Sequence, residues 1–322
     1  MEFDRSRIKE KAKAILHEAQ PRPWKVTLVF QLLFFALPLA LLFSFTLLIQ
    51  ILFRSSPAER LIQGFVSSGA TVITVLLLLV YLALLILMML LGAGYHYYAL
   101  RLWRRESGSY RDLFRGFSMV PRLLALLGLI VLFSLLWFLP AIAVQVGSIL
   151  LFQRLEDPVL LNALAVPLLL GLWAFWFSRI LRYALSLHVL LDHPEYTARQ
   201  ALNRSKELMV GQRWRLVVFL LSFLGWMLLI SLIAYVVLLV SMLLLGYFLP
   251  EQMLYYPTLG SLALMLLGVT VPAWLASAPL ALWLNGYVGV SLAGVYDRLQ
   301  GAPSVPSTPP WQPQPGEPGQ PE

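Results

Sequence analysis

The charged residues of this chain leave six long gaps, and those gaps decide what solvent it folds in. The uncharged runs are Val26–Phe53, Leu61–Leu100, Leu123–Gln153, Pro158–Ser178, Leu216–Pro250 and Gln252–Tyr296. Each meets or exceeds the roughly 20 residues that a helix needs to cross a hydrocarbon core of about 30 Å. The runs are apolar all round, so hydrophobic periodicity cannot choose their secondary structure. Lipid can. With no water to satisfy a backbone amide, a spanning segment must hydrogen-bond within itself, which makes each run a helix. The first run is too long for the apolar part of a signal peptide and follows 25 largely hydrophilic residues, so it is expected to remain as a span.

Composition agrees. Hydrophobic residues make up 59% of the 322 and charged residues 12%. Globular domains carry about 45–50% and 25%. All sixteen acidic residues fall outside the six runs. No carboxylate or lysine is therefore expected near the bilayer midplane, where ion-coupled transporters keep one. With no cysteine, disulfides, thiolate chemistry and Cys-ligated metals are excluded. The net charge of +8 does not imply nucleic acid, because the basic residues sit beside apolar runs, where anionic lipid headgroups lie.

Lysine and arginine set the orientation. The segments before span one, between spans two and three, between spans four and five, and after span six hold twenty-one of them. The opposite side holds only Arg54, Arg60 and Arg154. The positive-inside rule places both termini in the cytoplasm of a multi-pass cell-membrane protein.

The basic connections are themselves patterned. Residues 6–19 read as an amphipathic helix with Ile8, Ala12, Ile15, Leu16 and Ala19 on one face, and residues 197–210 as another with Ala198, Ala201, Leu202, Leu208 and Met209. Thr197 and Gln200 can form a capping box, and Gly211 suits the C-terminal end. A shorter copy starts at Ser109, with Asp112 three residues on and Leu113, Phe114 and Phe117 as its apolar face. Each copy leads through a basic residue (Lys25, Arg122 or Arg215, the first and last beside Trp24 and Trp214) into an odd-numbered span. The fold class expected is all-α, a polytopic six-span bundle with cytoplasmic amphipathic helices, read as three repeated helix-plus-hairpin units. Chance similarity among Leu-rich hairpins is the alternative. The domains are residues 1–25, an amphipathic helix leading into the membrane, 26–298, the membrane domain, and 299–322, a Pro-rich tail expected to be disordered or polyproline II.

A search for chemistry returns little. His188 and Asp192 share a helical face, but no third ligand joins them, so a hydrogen-bonded pair is expected rather than a metal site. His17 and His96 read as isolated, and no catalytic motif is present. No cofactor is expected. Pro38, Pro140, Pro167, Pro272 and Pro279 fall inside spans, where they can kink helices and open a cavity or simply be tolerated. Arg179 and Arg182 come closest to an intramembrane charge. A straight helix over 159–192 would run about 51 Å at 1.5 Å per residue, so its far end needs cover, and the amphipathic helices are the available cover.

Several segments resemble an uncharacterised bacterial integral-membrane family known only as a domain of unknown function. They are Ser6-Arg7-Ile8-Lys9 with Ala12; Asp112-Leu113-Phe114-Arg115-Gly116-Phe117; Leu190-Leu191-Asp192-His193-Pro194-Glu195; Ala201-Leu202-Asn203-Arg204-Ser205; and Leu208-Met209-Val210-Gly211-Gln212-Arg213-Trp214. The chain departs from the family pattern at His193, where the family usually has Asn, and at Val210, where it usually has Lys. A looser resemblance is to the membrane domain attached to some glycerophosphodiester phosphodiesterases. Both imply a membrane fold and neither implies an activity.

The functional expectation is a non-enzymatic membrane scaffold or accessory protein whose basic collar binds anionic lipid and a protein partner that the sequence does not identify. Lys25, Arg122, Arg179, Arg182, Arg199, Arg204, Lys206, Trp214 and Arg215 are its candidate contacts with headgroups or a partner. The alternative is a transporter or lipid-handling permease built on a kinked-helix cavity. A polar cavity beside Arg179 and Arg182 that reaches the midplane would favour the second, and a dry, packed bundle the first.

Overall fold

The computed structural model describes residues 4–19, 22–36, 59–152, 158–248 and 259–301, with Pro38, Leu41 and Ser44. The Pro-rich tail beyond 301 and most of the first apolar run lie outside them. Helix makes up nearly all of the described residues, and no strand occurs among them. In chain order they form α1 (Arg5–Glu18), α2 (Pro23–Gln31), which continues as a π-turn over Leu32–Ala36, and α3 (Glu59–Trp103). A 3-10 helix follows over Tyr110–Met119, then α4 (Val120–Phe152), α5 (Pro158–Ile180), α6 (Ser186–Asp192) and α7 (Ala198–Leu208). The last three are α8 (Arg213–Leu221), α9 (Leu224–Phe248) and α10 (Leu259–Gln300).

Five stretches are long and apolar enough to cross a membrane: Leu78–Trp103, Tyr110–Leu151, Ala165–Asp192, Arg213–Phe248 and Leu267–Gln300. Their side chains face outward along most of their length, as in Leu132, Leu170, Leu228 and Leu243, which are all exposed. Such surface is stable only against lipid or another apolar face. This is the architecture of a multi-pass membrane protein.

The buried core gathers at one end, where the basic connections lie. It runs from Ile8, Ala12 and Ile15 through Leu90–Trp103, Leu113, Leu185–Leu191, Ala201, Leu202, Phe219 and Phe223 to Leu284–Tyr296. Away from that end the helices pair locally, α4 on α5 and α9 on α10. Among the described residues, the α4–α5 hairpin makes no more than isolated contacts with α3, α9 or α10.

The three basic connections form the cap of this core. α1 packs mainly on α10, the 3-10 helix on α3, and α7 on α4 and α6. Each amphipathic segment therefore lies on the hairpin that precedes it in sequence, and α1 closes on the last one. Local chemistry explains each element. Asp4 caps α1 by accepting from the Ser6 amide. Ser109 with Asp112, and Thr197 with Gln200, form complete capping boxes. After α7 the chain turns at Gly211, whose φ of 73° favours a residue without a side chain.

Several expectations need correction. The segment after Ser109 is a 3-10 helix, with three residues per turn. Its inner face is therefore Leu113, Gly116 and Met119, and Phe114 and Phe117 face out. Gly116 is needed at that face. A Cβ there would overlap the Leu90 carbonyl, and a Cβ on Gly94 would overlap the Leu113 carbonyl, so backbone touches backbone where the segment crosses α3. The segment over 159–192 is not one straight helix: it breaks at Leu181–Tyr183, and α6 then packs on α7 and α3. This places Leu185, Val189 and Leu190 in the core. The fifth apolar run is likewise interrupted at Ser222–Phe223. Pro140, Pro167, Pro272 and Pro279 sit inside continuous helices.

Candidate headgroup interface

The capped end is held by an ion-pair hub in which α10 meets the residues that close α3 and α6. Arg104 donates to both carboxylate oxygens of Asp192, at 2.5 and 3.0 Å, and through Nε to Asp297 at 3.2 Å. Tyr296 donates its hydroxyl to Asp192 at 3.0 Å, and the Trp103 indole donates to Asp297 at 3.1 Å. A guanidinium shared between two carboxylates is bidentate on one side, which fixes orientation as well as charge. The hydrogen bonds to Asp192 hold the Arg104 guanidinium well above its ordinary range, against the opposing effect of burial. Beside it Arg101 bridges Asp112 and Glu106 at 2.8 and 3.0 Å.

The amphipathic segments fasten to this core through cations laid on aromatic rings. Lys11 stands 4.1 Å from the Trp103 ring. Lys9 lies over Phe223 and Lys13 over Tyr287, which contact each other. Lys206 lies over the Phe133–Tyr183 pair, and Arg115 over Tyr97. Burial lowers the pKa of Lys9 and Lys11, and a partly desolvated ammonium gains more from a ring face than a hydrated one.

The candidate contacts divide accordingly. Lys25, Arg122 and Arg199 are exposed, as are Trp24 and Trp214. Arg122 donates to the Pro194 carbonyl, which ties the start of α4 to the α6–α7 turn. Arg204 is exposed but pairs with Glu207 at 2.8 Å. Arg215 is partly buried and reaches Gln212 at 3.3 Å. Lys206 turns back onto the bundle, bonds Asn203 at 3.0 Å and leaves the polar side of α7. Its long stem lets the charge fold onto the rings below it, which helical-wheel placement cannot foresee. Arg179 lies against the edge-on pair of Trp137 and Phe175, 4.4 and 4.6 Å from their ring centres, and Arg182 is within electrostatic range of Arg179 and Arg213.

Two histidine expectations fail. Asp192 belongs to Arg104 and Tyr296, and His188 forms no hydrogen bond. His96 is not isolated, because its ring meets that of His188 edge-on at 4.9 Å. No group of three or more His, Asp or Glu side chains suited to a metal ion occurs among the described residues. Sequence reading also missed Trp103, Arg104, Tyr296 and Asp297. The available signal was acidic residues placed among the arginines at span ends.

The family model described as "Protein of unknown function (DUF975)" matches residues 1–263. The chain belongs to that family. No curated protein and no solved structure matches it. Membership carries no assigned activity, so function has to be argued from the interface itself.

Proposed function

We propose that this DUF975 protein is a non-enzymatic scaffold of the bacterial cell membrane, with six spans and both termini in the cytoplasm, which gathers anionic lipid under a basic collar. One observation carries the reading. At the capped end the carboxylates of Asp112, Asp192 and Asp297 turn inward and are consumed by arginines, while the exposed Arg5, Arg7, Lys13, Lys25, Arg105, Arg111, Arg115, Arg122, Arg199 and Arg298 outnumber the exposed carboxylates of Asp4, Glu10, Glu18, Glu106, Glu195 and Glu207. The outward field of that end is positive. Each such charge near an anionic surface contributes about 1 kcal/mol within a Debye length.

The cyclic placement of α1, the 3-10 helix and α7 supports three repeated helix-plus-hairpin units, with the apolar run Val26–Phe53 counted as the first of the six spans. A protein partner would meet the same exposed collar.

The permease reading has its own support. The α4–α5 hairpin stands off from the other described spans, and a groove opens at Phe177, Ser178 and Leu181, with neither Arg179 nor Arg182 in its lining. That groove runs from Leu181 only as far as Ala174 along α5. Seven residues of helix cover about 10 Å, which falls short of the midplane and favours the scaffold.

The collar is tested by reversing Arg199 and Arg204 to Glu together, leaving Lys206 in place because it faces inward. The expected result is an inserted, monodisperse protein that copurifies with severalfold less anionic lipid. Unchanged lipid would reduce the collar to a topology signal and end the lipid-binding reading.

A further inference from the structure

A second feature of the capped end is more local than the collar. Between the end of α5 and the turn that opens α8 lies a groove of about 360 Å³, with Ala174, Phe177 and Leu181 on one side and Gly211, Arg213 and Trp214 on the other. Arg182 follows Leu181 directly and feels the charges of both Arg179 and Arg213. Among the described residues no carboxylate pairs with any of these three arginines. Elsewhere at this end, Arg101 and Arg104 are each tied to two carboxylates.

Two of the three also hold an unsatisfied donor. Arg182 Nε and Arg213 Nε are shut off from solvent and make no hydrogen bond. Buried donors without acceptors are rare in folded proteins, and each asks for an explanation. Both Nε–H groups are closed to solvent, so it is the terminal guanidinium nitrogens, with Arg213 in the groove wall, that are left to meet an anion, and a guanidinium can grip phosphate oxygens in bidentate fashion. No side chain caps the first turn of α8, which begins at Arg213 itself, and an uncapped helix start adds to the attraction for an anion.

The other walls are apolar, which argues against a freely soluble anion. Phe177 is exposed, and Trp214 is 74% exposed at the mouth of the groove. An indole in that position suits the headgroup level of a bilayer. Arg179 lies against the paired rings of Trp137 and Phe175, so charge and aromatic surface meet next to the groove.

We propose that this groove binds the phosphate of a membrane phospholipid, with Arg182 and Arg213 on the phosphate oxygens and Phe177, Leu181 and Trp214 against the first carbons of the acyl chains. The site rests on the lipid-binding reading above and narrows it from a diffuse collar to one headgroup per chain.

The test uses the full chain, delipidated in mild detergent and followed by native mass spectrometry during titration with phosphatidylglycerol. The wild type is expected to take up one lipid per chain at saturation. Arg182→Gln with Arg213→Gln should weaken that event at least tenfold, and Ser148→Ala, at the far end of α4 and outside both groove and collar, should leave it unchanged. Ala174→Trp keeps every arginine but fills the groove, and it should abolish the same event if the double variant does not fold. Diacylglycerol, which lacks the phosphate, should not bind, and millimolar inorganic phosphate should not displace the lipid. Equal binding of diacylglycerol, displacement by inorganic phosphate, or wild-type affinity in both groove variants would each overturn the site. The last of these outcomes, combined with loss of lipid in the Arg199 and Arg204 reversal, would leave the collar standing alone. A wild type that retains no anionic lipid would remove both.

Discussion

Replacing Arg104 with Leu should loosen the capped end without disturbing the spans. The side chain makes three charge-assisted hydrogen bonds to Asp192 and Asp297, and the three groups are 28%, 11% and 14% exposed. Removing one partner of a buried ion pair costs about 3–5 kcal/mol, because the remaining charge stays buried and unpaired. Two carboxylates would be stranded here, but Tyr296 and Trp103 still donate to them, and Arg104 keeps some contact with water. Those offsets bring the expected cost to about 3 kcal/mol, at the low end of that range. At about 1.4 kcal/mol per tenfold change, opening of the cap should become roughly 150 times more frequent. Hydrogen–deuterium exchange in detergent reads this at the amides of residues 186–192 and 296–300, while amides in the middle of α9 serve as the control. Arg105→Leu removes an exposed pair with Glu18 and should change exchange by less than about fivefold, as surface pairs contribute about 1 kcal/mol or less. If Arg104→Leu behaves like Arg105→Leu, the hub does not hold the cap together.

Two further results are expected. Gly94→Ala should push the 3-10 helix off α3 and destabilise by about 3 kcal/mol, whereas Gly128→Ala, where a Cβ meets nothing within 4 Å, should be near neutral in a denaturant titration. In this cysteine-free chain, Ser56→Cys should react with an impermeant thiol reagent on intact cells and Ser107→Cys should not, and the reverse pattern would overturn the orientation.

The sequence was most informative where local chemistry decides structure. The capping boxes at Ser109 and Thr197 and the inner face of α1 at Ile8, Ala12 and Ile15 formed as their spacing implied. The five spans followed from length and composition, because lipid leaves an apolar run no option but a helix. That same uniformity hid the breaks at Leu181–Tyr183 and Ser222–Phe223, since an all-apolar run carries no mark of where protein packing takes over from lipid. The face of the 110–119 segment was misassigned because an α-helical period was applied to a 3-10 turn. Arg104, Asp192 and Asp297 were illegible for another reason: they lie far apart in sequence, and only the closure of three hairpin ends brings them together. Among the candidate contacts, Arg199 and Lys25 are as exposed as expected. Lys206 is not, because the Phe133–Tyr183 pair beneath it offers its ammonium a better partner than water.

A basic collar that binds headgroups must select anionic lipid from a mixed bilayer. The direct measurement is the lipid composition of the wild-type protein extracted in native nanodiscs from membranes of known phosphatidylglycerol and phosphatidylethanolamine content, set against bulk membrane from the same cells. Enrichment of phosphatidylglycerol around the protein, lost as salt is raised through the range in which the Debye length falls from about 10 to 3 Å, is the predicted result. A lipid shell identical to bulk at every salt concentration would contradict it.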